Sequence, residues 1–359
     1  MIEKTEKLPI VGITIGDING IGPEVIIKAL RDNRILASFT PIIYGTNKSI
    51  SFYKKNLNLN EFNFTTIKSA SDFQFKKINL INVNNEEVEI TPGNPTQKSG
   101  IISFKALESA TQDLSEGKID VLVTAPISKD NIQKAGFNFP GHTEYLADMS
   151  GVSEALMLLI SGELRVALVT THIPVSEVSK HLSKEKIIEK VKSLEMTLKK
   201  DFSIPKPKIA VFGLNPHAGE NGKIGQEEQQ IIGPAIHQLK NEGLLVYGPF
   251  AADGFFGSKA RNQYDGILAM YHDQGLAAFK ALAFEDGVNY TAGLPIIRTS
   301  PDHGTAFDIS GKGVASELSM RSAIFQAIDI LNSRQFQKEI NRNPLIIQES
   351  KDKKDDVPE

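Results

Sequence analysis

Short apolar runs rich in β-branched residues alternate along this chain with longer stretches of helical pattern. The five clearest runs are residues 10–15, 121–124, 166–171, 209–212 and 266–270. The helical stretches between them include residues 23–30, 99–114 and 184–199. Strands that are apolar at nearly every position are typical of parallel sheets, which helices cover on both faces. The alternation therefore predicts an α/β fold in which layers of helices pack on a largely parallel sheet.

Length, charge and cysteine content exclude several classes of protein. The chain has 359 residues, more than one compact core usually carries, so one large or two medium domains are expected. The formal net charge of −3 argues against a nucleic-acid-binding protein that works through a broad basic surface. Because the sequence contains no cysteine, disulfides, thiolate nucleophiles and Cys-ligated metals are excluded. Any metal site must use histidine or carboxylate ligands.

Nothing in the sequence predicts secretion or membrane insertion. The apolar stretch near the N-terminus is too short for a signal peptide. The most apolar window, residues 155–175, is interrupted by Glu163, Arg165 and His172, which a membrane-spanning helix rarely contains. We therefore expect a cytoplasmic protein with no membrane partner.

Two segments differ in composition from the rest of the chain. Residues 54–90 are rich in asparagine and lysine, and we expect them to form a peripheral insertion far from any site. Residues 348–359 are charged and nearly without apolar side chains, which predicts a disordered tail.

Three histidines follow three of the predicted strands. His172 comes directly after the run at 166–171, and His217 and His272 follow the runs at 209–212 and 266–270. In open α/β sheets, ligands bind at the carboxyl ends of the strands. Three imidazoles brought to that edge are able to hold a zinc-type cation and leave a coordination position open for substrate. The alternative is that each is an ordinary hydrogen-bonded loop residue, and the pattern leaves both interpretations open.

Other polar residues near segment ends are candidates for binding an anion. His142 and Thr143 precede a predicted helix, where they either grip a phosphate or carboxylate or merely cap the helix. Lys280, Asn289 and Arg298 also lie near segment ends and together suggest an anion cradle. Any one of them alone is more often a solvated surface group.

Two glycine-rich loops have less specific patterns. The loop at residues 16–24 follows the first strand and opens a helix, which suits either an anion site or a tight turn. It does not match the G-x-G-x-x-G dinucleotide motif. The loop at residues 219–228 is either a lid or only a connector.

Longer motifs, taken in order, resemble one enzyme family. They are ITIGDINGIGPEV, DVLVTAPISK, GHTEYLAD, VTTHIPVSEV, GLNPHAGENGKIGQEE, GPFAADGFF, YDGILAMYHDQGLAAFK and GVNYTAGLPIIRTSPDHGTAFDISGKG. The family is 4-hydroxythreonine-4-phosphate dehydrogenase, which acts in pyridoxal phosphate biosynthesis. The resemblance extends from residue 13 to residue 313, with Ile18-Asn19 where this family commonly has Pro-Ala.

The resemblance implies a role for each candidate residue. The metal ligands would be His172, His217 and His272. The substrate would be bound by His142, Thr143, Lys280, Asn289 and Arg298. In this family the active site lies at a homodimer interface, and the metal ligands are shared between subunits. The donor set favours zinc, with cobalt, manganese and magnesium as alternatives.

The resemblance also implies a cofactor and an architecture. Residues 303–313 resemble the NAD-binding loop of isocitrate and isopropylmalate dehydrogenases, which implies NAD contacts from His303, Gly304, Asp308, Gly311 and Gly313. The implied fold has two α/β/α domains with a cleft between them. The terminal domain would comprise residues 1–125 and 285–359, and the central domain residues 126–284.

The implied reaction is the NAD-dependent oxidation and decarboxylation of 4-phosphooxy-L-threonine to 3-amino-2-oxopropyl phosphate. Lys280 would either move a proton near C3 or only neutralise an anion. One alternative is a related dehydrogenase that acts on a sugar-acid phosphate such as 4-phospho-erythronate. A second alternative is an acyl or phosphoryl transferase on a similar scaffold, because a fold alone does not determine function.

Overall fold

One twelve-stranded sheet runs through the structure, a computed structural model that describes residues 8–343. The strands are β1 Ile10–Thr14, β2 Thr40–Gly45, β3 Phe64–Ile67, β4 Ile78–Asn82, β5 Val121–Thr124, β6 Leu156–Ser161, β7 Leu164–Leu168, β8 Lys208–Phe212, β9 Leu245–Phe250, β10 Gly266–Ala269, β11 Val288–Ala292 and β12 Arg298–Pro301. The five apolar runs correspond to β1, β5, β7, β8 and β10, so the predicted α/β fold is confirmed.

Helices cover the sheet and connect its strands. They are α1 Gly22–Leu30, α2 Asn47–Asn56, α3 Gln97–Ser115, α4 Lys129–Lys134, α5 His142–Met149, α6 Lys184–Asp201, α7 Gly233–Asn241, α8 Ala252–Gly257, α9 His272–Ala283 and α10 Leu318–Ile340. Shorter 3₁₀ segments are Asn33–Ala37, Ala70–Asp72, Val175–Glu177, Ser179–His181 and Lys259–Gln263. Pro216–Gly222 is a turn with a left-handed backbone, and Glu228–Ile232 is a π-helical turn. Among residues 8–343, no helix is both long and apolar enough to cross a bilayer.

The sheet has two parallel halves that run in opposite directions. The strand order is β3-β4-β2-β1-β5-β12-β11-β6-β7-β10-β8-β9. The pairs from β3 to β12 are parallel, as are those from β7 to β9, whereas β12–β11, β11–β6 and β6–β7 are antiparallel. Three antiparallel pairings in succession reverse the strand direction between the halves. The carboxyl ends of β7, β10 and β8 therefore meet at one edge, as predicted for the strands that precede the three histidines.

Residues 54–90 are part of this sheet. They contain β3 and β4, and β4 is hydrogen-bonded to β2 on one side and to β3 on the other. Leu80 of β4 is fully buried, and Phe62 and Ile78 are nearly so. The segment thus lies at the edge of the sheet and supplies two of its strands, and its origin as an insertion remains a prediction. The predicted tail at 348–359 lies outside the described residues.

The domain boundaries near residues 125 and 284 remain predictions. Strands from residues 10–124 and 298–301 form one half of the sheet, and strands from residues 156–168 and 208–269 lie in the other. Strand β11 joins them, because it pairs with β12 on one side and with β6 on the other.

A buried polar network fastens β11 to the helices behind it. The Tyr290 hydroxyl donates to Asp201 Oδ2 at 2.6 Å, and Arg334 Nε donates to Asp201 Oδ1 at 2.6 Å. Arg334 also donates to the Tyr290 oxygen at 2.9 Å and to the carbonyl of Leu294 at 3.1 Å. Burial, assisted by the Asp201 charge, raises the pKa of Tyr290 well above its ordinary value, so it stays a neutral donor. The network links α6, α10 and the turn between β11 and β12.

We expect the Tyr290→Phe variant to lose about 1–2 kcal/mol of unfolding free energy, because the buried Asp201 carboxylate loses a donor. Denaturant unfolding measures the change. The control is Tyr264→Phe, since the Tyr264 hydroxyl makes no hydrogen bond within residues 8–343 and its ring packs against Phe250 and Phe255. Equal losses in both variants would mean that the Tyr290 network is not a stabilising unit.

Candidate active site

Arg298 is a buried cation at the junction of three strands. It begins β12, which pairs with β5 and with β11, and its side chain is 3% exposed. Its guanidinium donates to Thr124 Oγ1 at 2.6 Å and to Thr291 Oγ1 at 3.0 Å. Burial lowers its pKa to about 10, with Glu144 acting in the opposite direction. Among residues 8–343, no Asp or Glu forms an ion pair with it, so its charge lacks a counter-ion.

His142 lies next to this cation at the start of α5. Its Nδ1 is 3.1 Å from Arg298 Nη2. Because a guanidinium only donates, Nδ1 accepts and the ring proton resides on Nε2. Burial, together with the charges of Arg298 and Lys129, holds the pKa of His142 well below its ordinary value. Nε2 is buried without a hydrogen-bond partner in the described part of the chain, so an N–H donor is available beside the buried cation.

Thr143 and His172 share a cavity of about 430 Å³ with Glu144, Thr171 and Lys190. Glu144 Oε1 is 3.9 Å from His172 Nδ1. Burial lowers the pKa of His172, and Lys129 adds to the effect while Glu144 opposes it. A neutral imidazole is the form that binds metals. The predicted substrate residue Thr143 and the predicted metal ligand His172 therefore line one space.

His172 and His272 lie close together, as predicted from the ends of β7 and β10. Their ring centres are 6.0 Å apart. Two imidazoles that share a tetrahedral zinc, each nitrogen about 2.1 Å from it, have ring centres roughly 5 Å apart. His272 Nδ1 lies 2.7 Å from Asp273 Oδ1, which leaves Nε2 free for another partner. The pair therefore fits a shared divalent cation with a small adjustment.

His217 occupies a neighbouring groove. This groove of about 580 Å³ is lined by His217, Asp253, Asp273 and other residues, and it shares Tyr271 and Asp273 with the smaller groove beside His172 and His272. Within residues 8–343 of one chain, no three His, Asp or Glu side chains gather as a metal site. A single chain thus pairs two of the predicted ligands and holds the third apart.

Lys280 lies on α9, eight residues after His272 and so on the same side of the helix. Its ammonium donates to the carbonyl of Asp302 at 3.1 Å and is 3.6 Å from the Asp302 carboxylate. Burial raises the pKa of Asp302, and Lys280 and His272 partly offset this. Lys280 and His272 therefore both lie near the Asp302 carboxylate.

Two further atoms of the predicted site are buried without partners. They are Asn289 Oδ1 and His303 Nε2, neither of which has a hydrogen bond within residues 8–343. Buried polar atoms are normally satisfied, so these two atoms are candidates for contact with a substrate or cofactor. Burial lowers the pKa of His303, and Lys280 contributes in the same direction.

The loop at residues 303–313 packs against the first strand-to-helix loop. Ile21 N donates to the Thr305 carbonyl at 3.0 Å, and Ser310 Oγ donates to the Asn19 carbonyl at 2.7 Å. Gly311 has φ +75°, and a Cβ there would lie 2.7 Å from Pro92, so no other residue fits easily. Gly313 has φ +71° as well, and its carbonyl accepts from Lys28.

The remaining residues of the predicted cofactor site lie in the open part of this loop. Asp308 is exposed, and no atom lies within 4 Å of a Cβ placed on Gly304. The glycines at 311 and 313 therefore shape the loop, while Gly304 and Asp308 leave room for a ligand; His303 differs from them because its Nε2 is buried. Their contact with NAD remains a prediction.

Sequence reasoning missed four residues that support the site. Thr124 and Thr291 hold the Arg298 guanidinium, Glu144 lies beside His172, and Asp302 pairs with Lys280. Thr124 and Thr291 resemble ordinary strand residues, so no sequence pattern singled them out. Glu144 and Asp302 fall inside the motifs GHTEYLAD and TSPDHGTAFD, whose specificity was the available signal.

The sheet places a buried cation without a counter-ion beside an available imidazole donor, and two histidines lie close together at the ends of neighbouring strands. This combination is typical of an enzyme that acts on an acidic small molecule. The family model described as "Pyridoxal phosphate biosynthetic protein PdxA" matches residues 37–327. The chain belongs to this family, and the resemblance found in the sequence is confirmed.

Individual relatives agree with this assignment. A 4-hydroxythreonine-4-phosphate dehydrogenase from Bacteroides thetaiotaomicron is 51% identical, over 93% of this chain and 92% of that protein. A D-threonate 4-phosphate dehydrogenase from Cupriavidus necator is 38% identical, over 92% of this chain and 99% of that protein. The crystal structure of a 4-hydroxythreonine-4-phosphate dehydrogenase from Klebsiella pneumoniae is 36% identical, with a TM-score of 0.79 over 91% of this chain and 99% of that one. The chain is therefore similar to dehydrogenases along nearly all of its length.

Proposed function

We propose that this chain catalyses the NAD-dependent oxidation and decarboxylation of 4-phosphooxy-L-threonine to 3-amino-2-oxopropyl phosphate. The observation that carries the proposal is the buried Arg298 guanidinium, which has no carboxylate partner among residues 8–343. A buried charge is costly unless it is paired, so this site is built for an anionic ligand. The proposed substrate carries both a carboxylate and a phosphate.

Arg298 and His142 would bind one anionic group of the substrate together. The guanidinium supplies charge, and the available His142 Nε2–H supplies a directed hydrogen bond. Thr143 lies at the start of α5, where its hydroxyl and the free backbone N–H groups of the first helical turn also suit an anion. Asn289 would meet another polar group of the substrate through its unpaired Oδ1.

The three histidines would hold a divalent cation, for which zinc is the best match to an all-imidazole donor set. When bound, such a cation would withdraw electron density from the single substrate oxygen at C3 and so favour both oxidation and loss of CO₂. The spacing of His172 and His272 supports this assignment. Because His217 lies in a separate groove of the same chain, the proposal includes a homodimer in which the second subunit completes the ligand set.

NAD would bind along residues 303–313. When bound, NAD⁺ accepts the hydride from C3. The exposed Gly304 and Asp308 and the unpaired Nε2 of His303 would contact the cofactor. Gly311 and Gly313 would keep the loop in shape against Pro92 and Lys28.

Lys280 would move a proton at the reacting carbon or its oxygen. We expect Lys280→Met to lower kcat by about 10²–10⁴-fold and to change KM far less, because general acid–base catalysis contributes an effect of this size. Initial rates of NADH formation at varied substrate concentration measure both constants. The exposed Lys259→Met serves as the matched control. An unchanged kcat in the Lys280 variant would assign the lysine to charge neutralisation only.

One relative supports a second candidate function. The Cupriavidus necator protein is named a D-threonate 4-phosphate dehydrogenase, and its substrate belongs to the sugar-acid phosphates that the sequence left as an alternative. The relatives described above are dehydrogenases, so they give no support to the transferase alternative.

A substrate panel separates these candidates. Purified protein is assayed by nicotinamide absorbance with 4-phosphooxy-L-threonine, D-threonate 4-phosphate and 4-phospho-erythronate, each with NAD⁺ and with NADP⁺. We expect the highest kcat/KM with 4-phosphooxy-L-threonine and NAD⁺, and loss of the rate in the presence of a chelator. Preference for a sugar-acid phosphate would support the second candidate, and the absence of nicotinamide reduction with all three would contradict both.

A further inference from the structure

The loop that carries His217 has an unusual backbone. Six consecutive residues have positive φ, and they are His217 at 52°, Ala218 at 49°, Gly219 at 78°, Glu220 at 42°, Asn221 at 57° and Gly222 at 88°. Left-handed helical turns are unfavourable for L-amino acids, and they persist only where their surroundings impose them. The groups that impose this conformation therefore determine where the His217 imidazole lies.

Glu228 supplies the main contacts to this loop. Its side chain is 5% exposed, although it is a carboxylate. Oε1 accepts hydrogen bonds from Leu214 N at 2.7 Å and from Asn215 N at 2.8 Å, and Oε2 accepts from Asn215 Nδ2 at 3.0 Å. The same carboxylate lies against Gly219, where any Cβ would collide with Oε2. Glu228 thus fixes the residues just before His217 and contacts the middle of the left-handed turn.

Gln274 connects this loop to the segment that carries His272. Its Nε2 donates to the Gly213 carbonyl at 2.7 Å, and its Oε1 accepts from Met270 N at 2.7 Å. Gly213 follows β8 and Met270 follows β10, so one side chain ties the ends of two neighbouring strands together. The positions of both histidine-bearing segments are therefore coupled.

We infer that Glu228 is a positioning residue for the metal site, assisted by Gln274. Its carboxylate holds the loop so that the His217 imidazole is presented to a divalent cation, and it does not itself contact the cation. The inference rests on the proposed function, because it takes His217 to be a ligand. Groups that orient metal ligands through hydrogen bonds typically change metal affinity by about 10–100-fold when they are replaced.

The test is titration of the purified, metal-free, full-length protein with Zn²⁺ by calorimetry and with Co²⁺ by visible absorption. We expect Glu228→Gln to weaken Zn²⁺ binding by about 10–100-fold and to alter the Co²⁺ spectrum. A glutamine keeps one acceptor but turns an NH₂ group toward Asn215 Nδ2, so donor meets donor. The matched control is Glu220→Gln in the same loop, whose side chain is 52% exposed and which should bind Zn²⁺ as the unmodified protein does.

Two further variants make each outcome decisive. Gln274→Ala disturbs the same loop through Gly213, so it decides the question if Glu228→Gln does not fold by circular dichroism. The inference is overturned if the folded Glu228→Gln protein has normal Zn²⁺ affinity and a normal Co²⁺ spectrum. If only Gln274→Ala folds, the same two results in that variant overturn it. His217→Ala tests the proposed function separately. If it binds Zn²⁺ as tightly as the unmodified protein, His217 is no ligand and the metal assignment itself fails.

Discussion

The Arg298→Met variant should lose about 10³-fold or more in kcat/KM for a phosphorylated acidic substrate. The guanidinium is buried at the junction of β5, β11 and β12, and its hydrogen bonds within the described chain go to neutral partners, Thr124, Thr291 and His142. A substrate anion would therefore be its charge partner. Removal of one member of a buried charge pair typically costs 2–5 kcal/mol or more, and about 4 kcal/mol corresponds to 10³-fold.

Stability should respond in a different way from activity. The Arg298 charge has no counter-ion in the free protein, so removal of the charge relieves a desolvation cost. The substitution also leaves the hydroxyls of Thr124 and Thr291 without a hydrogen-bond donor, which offsets part of this gain. We expect the thermal midpoint of the ligand-free protein to stay within about 4 °C. Steady-state kinetics and calorimetry measure the two quantities in the same preparation.

The matched control is Arg321→Met on α10. Arg321 is partly exposed and pairs with Glu317 at 3.2 Å, one turn away on the same helix. Such a surface pair contributes little, so kcat/KM should be unchanged. If Arg298→Met kept its kcat/KM to within tenfold (about 1.4 kcal/mol), Arg298 would not be the anchor for the anion.

The second large effect is expected for His172. The His172→Ala variant should lose about 10³-fold in kcat and no longer respond to added Zn²⁺, because two imidazoles hold a catalytic cation poorly. In the unmodified protein, a chelator should abolish the rate and Zn²⁺ should restore it. Rates of NADH formation with chelated and with Zn²⁺-supplemented protein measure the response.

His237→Ala is the control for this prediction. His237 is exposed on α7, and its ring nitrogen lies 3.3 Å from Asn241 on the same helix. The sequence offered no functional interpretation for it, and the variant should keep both the rate and its dependence on Zn²⁺. A His172→Ala protein that remained active and sensitive to the chelator would show that the cation is held elsewhere.

The apolar pattern predicted some strands and missed others for a physical reason. Strands β1, β5 and β10 are buried on both faces and read as continuous apolar runs. Strands β11 and β12 contain Asn289, Thr291 and Arg298, so they lack that pattern even though most of their residues are buried. Polar side chains that serve the site replaced the apolar ones that would have revealed the strand. Strands β3 and β4 also lack a continuous apolar run, because they lie at the edge of the sheet.

The sequence identified candidate site residues one by one but not their arrangement in space. The strand ends predicted that His172 and His272 would meet, and their rings are 6.0 Å apart. No local pattern predicted that His217 would line a different groove from the pair, because its position depends on a left-handed turn after β8. That turn depends on Glu228, which comes later in the chain and contacts it only in the folded protein.

The amino-acid sequence by itself determined the α/β class and the family, because apolar periodicity and ordered motifs are properties of the chain as written. Only the tertiary structure decided which charges are paired. Arg298 and His142 are 156 residues apart in the chain, and their contact depends on how β12 pairs with β5 and on where α5 begins. Whether a charged side chain is satisfied depends on burial and on its neighbours in space. Burial and spatial neighbours are not encoded at the position of the residue itself. The unpaired Arg298 cation could therefore be identified only from the tertiary structure.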